Sequence, residues 1–401
     1  MLKNILIWAT AIALSLASGA IAIGAIAKNK TPDLAMSFSP TNGFAAESKA
    51  ENLTLASIAE NKGEFPDRMD PSSMAMAMAI QAFKSEPVTP GAIAVIALAR
   101  GEDDRHSLMG KAFNLSRRQG FVTAWMIKDS SSREDITALL QYYDTLLRTS
   151  SSARPIALPI MASALTNESS IEPIAVMLSR KPPWDRDFWR TAGNINEIAT
   201  GLATLRSRIH SMGLSNTGKN DAKILGNLVE GGLYQEAFQL YDDLTNNSRK
   251  SSKDLVRGGD FESQPRLFPI EWRLYSSGQF GAEVDSKNGR LWVGSMPKVR
   301  ATFATQIIHL PAGSYTLRVS SKAQTSDPSD PSNPLFLRLR CATNPHGRLD
   351  EILRLNDGIV SMRIRVAQQD CSYYWLTLLG DAQDSTERYD FVVSSISLTK
   401  S

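Results

Sequence analysis

Residues 306–321 read QIIHLPAGSYTLRVSS. Two apolar runs flank a Pro311–Gly313 break. Proline presets φ for a tight turn, and the glycine after it relaxes the backbone into the next run. Beyond the break Leu317 and Val319 share one face, while basic or small polar residues take the other. That is strand, turn, strand, with one face buried. The same period recurs in LRLRCA (337–342) and in MRIRVA (362–367), which puts Met362, Ile364 and Val366 together. Working outward, β-rich runs are predicted over 268–276, 280–285, 291–294, 300–310, 314–321, 335–342, 359–367, 372–379 and 389–399. Strands at this spacing predict a closed antiparallel sandwich, of Greek-key or jelly-roll type, over 256–401. The polar, proline-broken stretch 321–334 is predicted to be a loop.

Towards the amino end the period changes from two to 3.6. From 71 to 250 apolar residues recur three and four apart, with Gly, Pro or Ser/Asn clusters every 10–15 residues. This predicts short helices near 72–85, 90–99, 104–116, 120–128, 133–148, 156–166, 170–179, 185–192, 195–212, 219–230 and 233–246. Helices this short are marginal alone and must stack on neighbours. The fold class is therefore multi-domain, α then β. Residues 31–70 are read as a linker holding a partial repeat around Asp33 to Leu53. Around 178–189 (LSRKPPWDRDFW), Pro182 and Pro183 end a helix, and Trp184, Phe188 and Trp189 form an aromatic cluster read as packing.

In ILGNLVEGGLYQEAFQLYDDL (224–244), Gly232, Tyr234, Ala237 and Tyr241 stand at a small, aromatic, small, aromatic spacing. ITALLQYYDTLL (136–147) repeats part of it with Ala138 and Tyr142, and residues 90–115 form a weaker copy. The helical half thus resembles a tetratricopeptide-repeat solenoid, which implies a concave groove for a protein partner. In the other half GGDFES (258–263) is followed by PIEWRL (269–274) and the 306–321 stretch. Gly259, Phe261, Glu262, Trp272, Gln306, Gly313, Tyr315 and Leu317 resemble the galactose-binding-like jelly roll of carbohydrate-binding modules. That resemblance implies sugar binding. The family often holds a structural calcium between the early Glu and an Asp in the last strand. Here Ser394 and Ser395 stand near that Asp place, so no metal is expected at Glu262.

Residues 5–27 carry no charge over 23 positions. As a helix they would span about 34 Å, enough for a hydrocarbon layer of roughly 30 Å. The expectation is a signal-anchor or transmembrane segment over 1–30, a single pass of the inner (cytoplasmic) membrane, with the bulk of the chain periplasmic. A cleaved leader and a buried core helix are the alternatives. Export permits a disulfide, and Cys341 and Cys371 both lie in predicted strands, so a Cys341–Cys371 bond is expected over two separate thiols.

The 401 residues carry 44 Lys+Arg and 41 Asp+Glu, a net charge of +3. No polybasic surplus exists, so nucleic acid is excluded as the main partner. The four histidines form no ligand spacing, and no GxSxG, Walker loop or GxGxxG occurs. No catalytic residue, metal or cofactor is therefore assigned, and a non-enzymatic role is expected. A sugar platform needs an aromatic face beside polar groups. Trp292, in an edge-like run, leads the candidates, with Tyr275 and Tyr374. These readings predict a membrane-anchored scaffold of the bacterial envelope, its repeats binding a protein partner and its sandwich a polysaccharide, within polysaccharide synthesis or export. The alternatives are an accessory or catalytic component of a carbohydrate-active enzyme system, or a purely structural protein.

Overall fold

The computed structural model describes residues 22, 25–28, 30–60, 70–214, 219–245, 254–324, 335–343, 349–368, 371–383 and 388–401. The chain divides into two compact units, Met1–Met161 with Pro182–Trp184, and Ala162–Lys181 with Asp185–Ser401.

The first unit is helical. Its helices are α1 (Pro32–Phe38), α2 (Gly43–Glu60), α3 (Ser73–Ser85), α4 (Pro90–Leu98), α5 (Glu102–Leu115), α6 (Gly120–Ser132) and α7 (Ile136–Thr149), with most of α8 (Arg154–Ser163). Alanine dominates the core: Ala46, Ala50, Ala75, Ala79, Ala82, Ala92 and Ala97 are fully buried around Met109, Phe121 and Trp125. Side chains this small let the helix axes approach closely. Ser72 caps α3, its hydroxyl accepting from the Ala75 amide at 3.1 Å. α7 begins three residues later than expected. Glu134 takes a positive φ of 56° that ends the preceding turn, and Asp135 becomes the cap, accepting from the Ala138 amide. Trp184 is fully buried and donates its indole N–H to Asp144 at 2.9 Å, which gives that ring of the 184–189 cluster a packing role.

The membrane span expected over 5–27 is corrected. Among the described residues no helix is long and apolar enough to cross a membrane. Of that run the described helix covers residues 25–27, about 4.5 Å of rise; residues 5–21 lie outside the described residues. The transmembrane helix leaves the fold class, and the single-pass inner-membrane placement goes with it. Within the 31–70 segment read as a linker holding a partial repeat, the described residues carry two helices, Pro32–Phe38 and Gly43–Glu60.

The second unit joins the later helices to the sandwich. The helices are α9 (Ile171–Ser179), α10 (Asp185–Ala192), α11 (Ala199–Ser211), α12 (Lys219–Glu230) and α13 (Tyr234–Leu244). Arg206 of α11 grips Asp221 of α12 through two hydrogen bonds of 2.6 and 3.1 Å, both side chains buried. In the motif quoted above, Gly232 has a positive φ of 76° and ends α12, while Ala237 and Tyr241 are buried on α13. Tyr241 meets the start of the β region: its hydroxyl lies 3.3 Å from Glu271, and Arg257 lies over its ring.

Ten strands follow: β1 (Arg273–Leu274), β2 (Phe280–Asp285), β3 (Arg290–Ser295), β4 (Arg300–His309), β5 (Gly313–Ala323), β6 (Leu335–Cys341), β7 (Asp350–Arg354), β8 (Gly358–Val366), β9 (Tyr373–Asp381) and β10 (Tyr389–Lys400). They form two antiparallel five-stranded sheets, ordered β2-β3-β10-β5-β8 and β1-β4-β9-β6-β7. Leu317, Val319, Leu337, Leu339, Ile364, Val366, Leu376 and Leu378 fill the space between the sheets. The 306–321 stretch is the expected strand, turn, strand. Tyr315 closes its turn by donating to the Pro311 carbonyl at 2.5 Å. Buried Gln306 clamps Arg257, accepting from its amide and donating to its carbonyl. The disulfide joins Cys341 to Cys371, Cα atoms 5.8 Å apart.

Candidate glycan-binding face

The outer face of the β2-β3-β10-β5-β8 sheet carries the candidate site. Along β3 burial alternates: Leu291, Val293 and Ser295 point inward, Arg290 and Trp292 outward. Trp292 is 41% exposed, large for an indole in a sheet. It sits opposite Glu283 of β2 on one side and Val392 of β10 on the other. Two residues along, Gly281 and Gly294 face each other and bring no side chain. A Cβ on Gly294 would collide with the Asp390 carboxylate. The glycines leave a bare backbone floor beside the indole.

That floor belongs to a cleft of about 770 Å³. Ser276 to Gln279, Met296 and the Arg388–Asp390 pair border it, with Trp292 and Glu283 at one side. Arg388 holds Asp390 through contacts of 3.0 Å to each carboxylate oxygen. Beneath the floor Tyr389 is buried opposite Ser295, and burial pushes its phenol up to about 12. Tyr389 keeps its proton near neutral pH and forms a neutral wall. The accessible groups are an indole face, two carboxylates, a guanidinium and serine hydroxyls. Such a set stacks on a C–H face and hydrogen-bonds hydroxyls.

The structure separates the three candidate rings. Trp292 lines the cleft. It is not on an edge: β3 lies between β2 and β10, and β2 is the outer strand. Tyr275 lies beyond β1, half-buried, with its hydroxyl 3.2 Å from Thr305 and Arg273 over its ring. Tyr374 is fully buried in the core, because the alternation that turns Tyr373 and Trp375 outward turns Tyr374 inward with Leu376. The three do not converge. The residues around the cleft absent from the sequence reading are Glu283, Gly294, Arg388 and Asp390. The outward alternation of FGAEVD (280–285) was a usable signal for Glu283.

Glu262 does not join a ligand cluster: no group of three or more potential metal ligands exists among the described residues. Its amide instead lies 3.4 Å from the Asp260 carboxylate. Half-buried Asp254 accepts from the Val256 and Leu398 amides and so ties the start of the sandwich to its last strand.

Compared with solved structures, the chain is similar to several carbohydrate-binding modules. One is a CBM4 structure, at 14% identity and a TM-score of 0.27, covering 36% of this chain and 99% of that one. TmCBM61 in complex with β-1,4-galactotriose gives 15% identity and a TM-score of 0.25, covering 37% of this chain and 100% of that one. A family 16 carbohydrate-binding module gives 15% and 0.23, covering 32% and 90%. No family model and no curated protein sequence matches the chain. What the structure shows is a helical amino-terminal part followed by an antiparallel two-sheet sandwich.

Proposed function

We propose that this chain is a non-enzymatic glycan-binding protein whose sugar site is the Trp292 cleft. One observation carries the reading: a 41% exposed indole stands beside a glycine-floored cleft, with carboxylates and a guanidinium at its border. Pyranoses present an apolar C–H face and a rim of hydroxyls, and this surface complements both.

The test is a glycan array probed with the full chain and with Trp292→Ala. Retention on one or more polysaccharides is expected, weakened about tenfold or more in the variant, the equivalent of about 1.4 kcal/mol. Equal retention of both proteins, with matching circular dichroism, would remove the cleft from the reading.

A second reading concerns the helical unit. Helix α3 leaves Ile80 and Phe83, neighbours one turn apart, exposed, a surface suited to a protein partner. Reversing it with Phe83→Glu and Ile80→Glu should abolish any stable co-purifying protein while leaving glycan retention intact.

A further inference from the structure

The sheet that carries Trp292 divides its charges unevenly. On the Trp292 side they are mixed and largely paired: Asp285 of β2 stands opposite Arg290 of β3, half-buried Asp390 of β10 is held by Arg388, and Glu283 is exposed. On the other side of β10 the outward charges are all positive. β5 exposes Arg318 and Lys322, and β8 exposes Arg363 and Arg365. Their interleaved neighbours are hydroxyls, Thr316 and Ser320 on β5, Ser361 on β8 and Ser397 on β10.

The cations are close to one another. Arg318 pairs with Ser361 and Thr316 with Arg363, so Arg318 and Arg363 are diagonal neighbours. Diagonal cross-strand residues sit about 7–8 Å apart, and Arg363 and Arg365 are next neighbours on the same face. None of the four has a carboxylate partner among the described residues. Asp357, the nearest acid in sequence to β8, is turned to the Ala323 amide at 2.6 Å.

Like charges brought together on a sheet cost stability. Edge protection accounts for arginines on β8, which is an outer strand. It does not account for Arg318 and Lys322, since β5 is interior, between β10 and β8. Arginine and lysine rows without counter-charge are what a polyanion requires.

The patch is continuous with the cleft. Trp292 pairs with Val392, and Val392 pairs with Lys322. Lys322 lies two inter-strand steps of about 4.8 Å from Trp292, but Arg318 stands four residues further along β5, and Arg363 and Arg365 pair with Thr316 and Ser314 further still, so at about 3.3 Å per residue the arginines lie roughly 16–30 Å from the indole. A chain running diagonally over the strands would place a neutral ring on Trp292 and anionic groups over β5 and β8.

We infer that the glycan is an acidic polysaccharide, its regularly spaced anionic groups read by Arg318, Lys322, Arg363 and Arg365. This rests on the Trp292 reading above. Carboxylate and sulfate share the chemistry, and the probes below separate them.

The experiment measures binding of the full chain to polygalacturonate, dextran sulfate, neutral galactan and a single-stranded oligonucleotide, at low and high NaCl. The proteins are the native chain, Trp292→Ala and Arg318→Ala/Arg363→Ala, each checked by its thermal melt. At low salt, one or both acidic glycans should bind about tenfold or more tighter than galactan. That preference should fade in 0.5 M NaCl, where charges are screened within about 4 Å. The arginine variant should lose the preference and keep galactan binding, while Trp292→Ala should weaken both. Galactan held as tightly as the acidic probes, with the arginine variant silent, overturns the inference and leaves the Trp292 reading standing. Oligonucleotide held as tightly as polygalacturonate, with Trp292→Ala silent, overturns both, as does no binding to any glycan. Should the double variant unfold, Lys322→Gln alone must reduce the acidic preference or the inference fails.

Discussion

Tyr234 of α13 stacks on Tyr373 of β9, ring centroids 4.9 Å apart and planes inclined by 24°. Tyr373 stacks in turn on His309 of β4, at 4.9 Å and 26°. Phe238, one turn along α13, leans on both rings. Burial lowers the His309 pKa, so the imidazole in this stack is held towards its neutral form. A helix seated by two of its rings on two rings of a sheet is a cooperative attachment, because each ring fixes the next.

The stack predicts a measurable coupling. Aromatic pairs contribute about 0.5–1.5 kcal/mol beyond the area they bury. Tyr234→Ala and Tyr373→Ala should each lower the urea midpoint, and the double variant should lose less than their sum by about 1 kcal/mol. Strict additivity would show that the rings touch without energetic consequence.

The legible parts of this chain were those where burial follows a local period. β5, β6 and β9 are half-buried strands inside the sandwich, so their apolar residues fall two apart and their bounds follow from the pattern. Asp350–Arg354 (DEILR) escaped, since β7 is an outer strand alternating only between exposed and half-buried. Helix α2 escaped for another reason: four of its seven buried positions are Gly43, Ala45, Ala46 and Ala50, too small to stand out as an apolar stripe. The cleft was legible only at Trp292. Its other members, Glu283, Gly294 and Asp390, are joined by cross-strand register over a hundred positions of chain. Tyr374 shows the limit of periodicity: alternation divides CSYYWLTLL into two faces without saying which one meets the core.

The disulfide predicts a chemical result. Ellman titration of the unreduced, unfolded chain should find no free thiol. A 30-residue separation between Cys341 and Cys371 restricts the unfolded ensemble by about 3–4 kcal/mol. Replacing both by serine should lower stability by that order, with the loss read from denaturant midpoints. Two titratable thiols in the unreduced protein would remove the bond.

A pH dependence follows from Glu51. Its carboxyl lies over Gly91, at the start of α4, and accepts from Gln119, at the start of α6. Burial, and then the neighbouring Glu47, push it up to about 8. Glu47 is also raised, chiefly by burial, although the Gly91 and Ala92 amides and Lys28 oppose the shift. In the unfolded chain a glutamic acid loses its proton near 4.3. Between that pH and about 8 the folded state holds a proton that the unfolded state has lost, so stability falls as pH rises. The slope from Glu51 alone is at most about 1.4 kcal/mol per pH unit. Glu51→Gln should flatten the fall across this window and raise the melting temperature at pH 8. A native profile flat from pH 5 to 8 would refute the assignment.

The Arg206–Asp221 pair makes a sharper demand. Both side chains are withdrawn from water, and their two hydrogen bonds are the compensation. Asp221→Ala leaves a buried guanidinium alone, a change that costs about 3–5 kcal/mol. The helical signal should melt early in this variant. Arg206→Met with Asp221→Leu, which removes both charges and keeps volume, should recover most of the loss. Failure of the double variant to recover would show that α11 and α12 depend on the pair's geometry as well as on its charge balance.

Gly294 separates binding from folding at the cleft. A methyl there meets the Asp390 carboxylate, the mobile end of a side chain, so rotation of Asp390 relieves the clash. That rotation breaks the Arg388–Asp390 pair, and exposed pairs are worth about 0–1 kcal/mol. Gly294→Ala should therefore shift the denaturant midpoint little. It also fills the bare floor beside Trp292 and turns an anion into the cleft, so polysaccharide affinity should fall about tenfold or more. Calorimetry on one preparation reads both quantities. Unchanged affinity would mean that the sugar does not reach the floor, and the site would shrink to the Trp292 face alone.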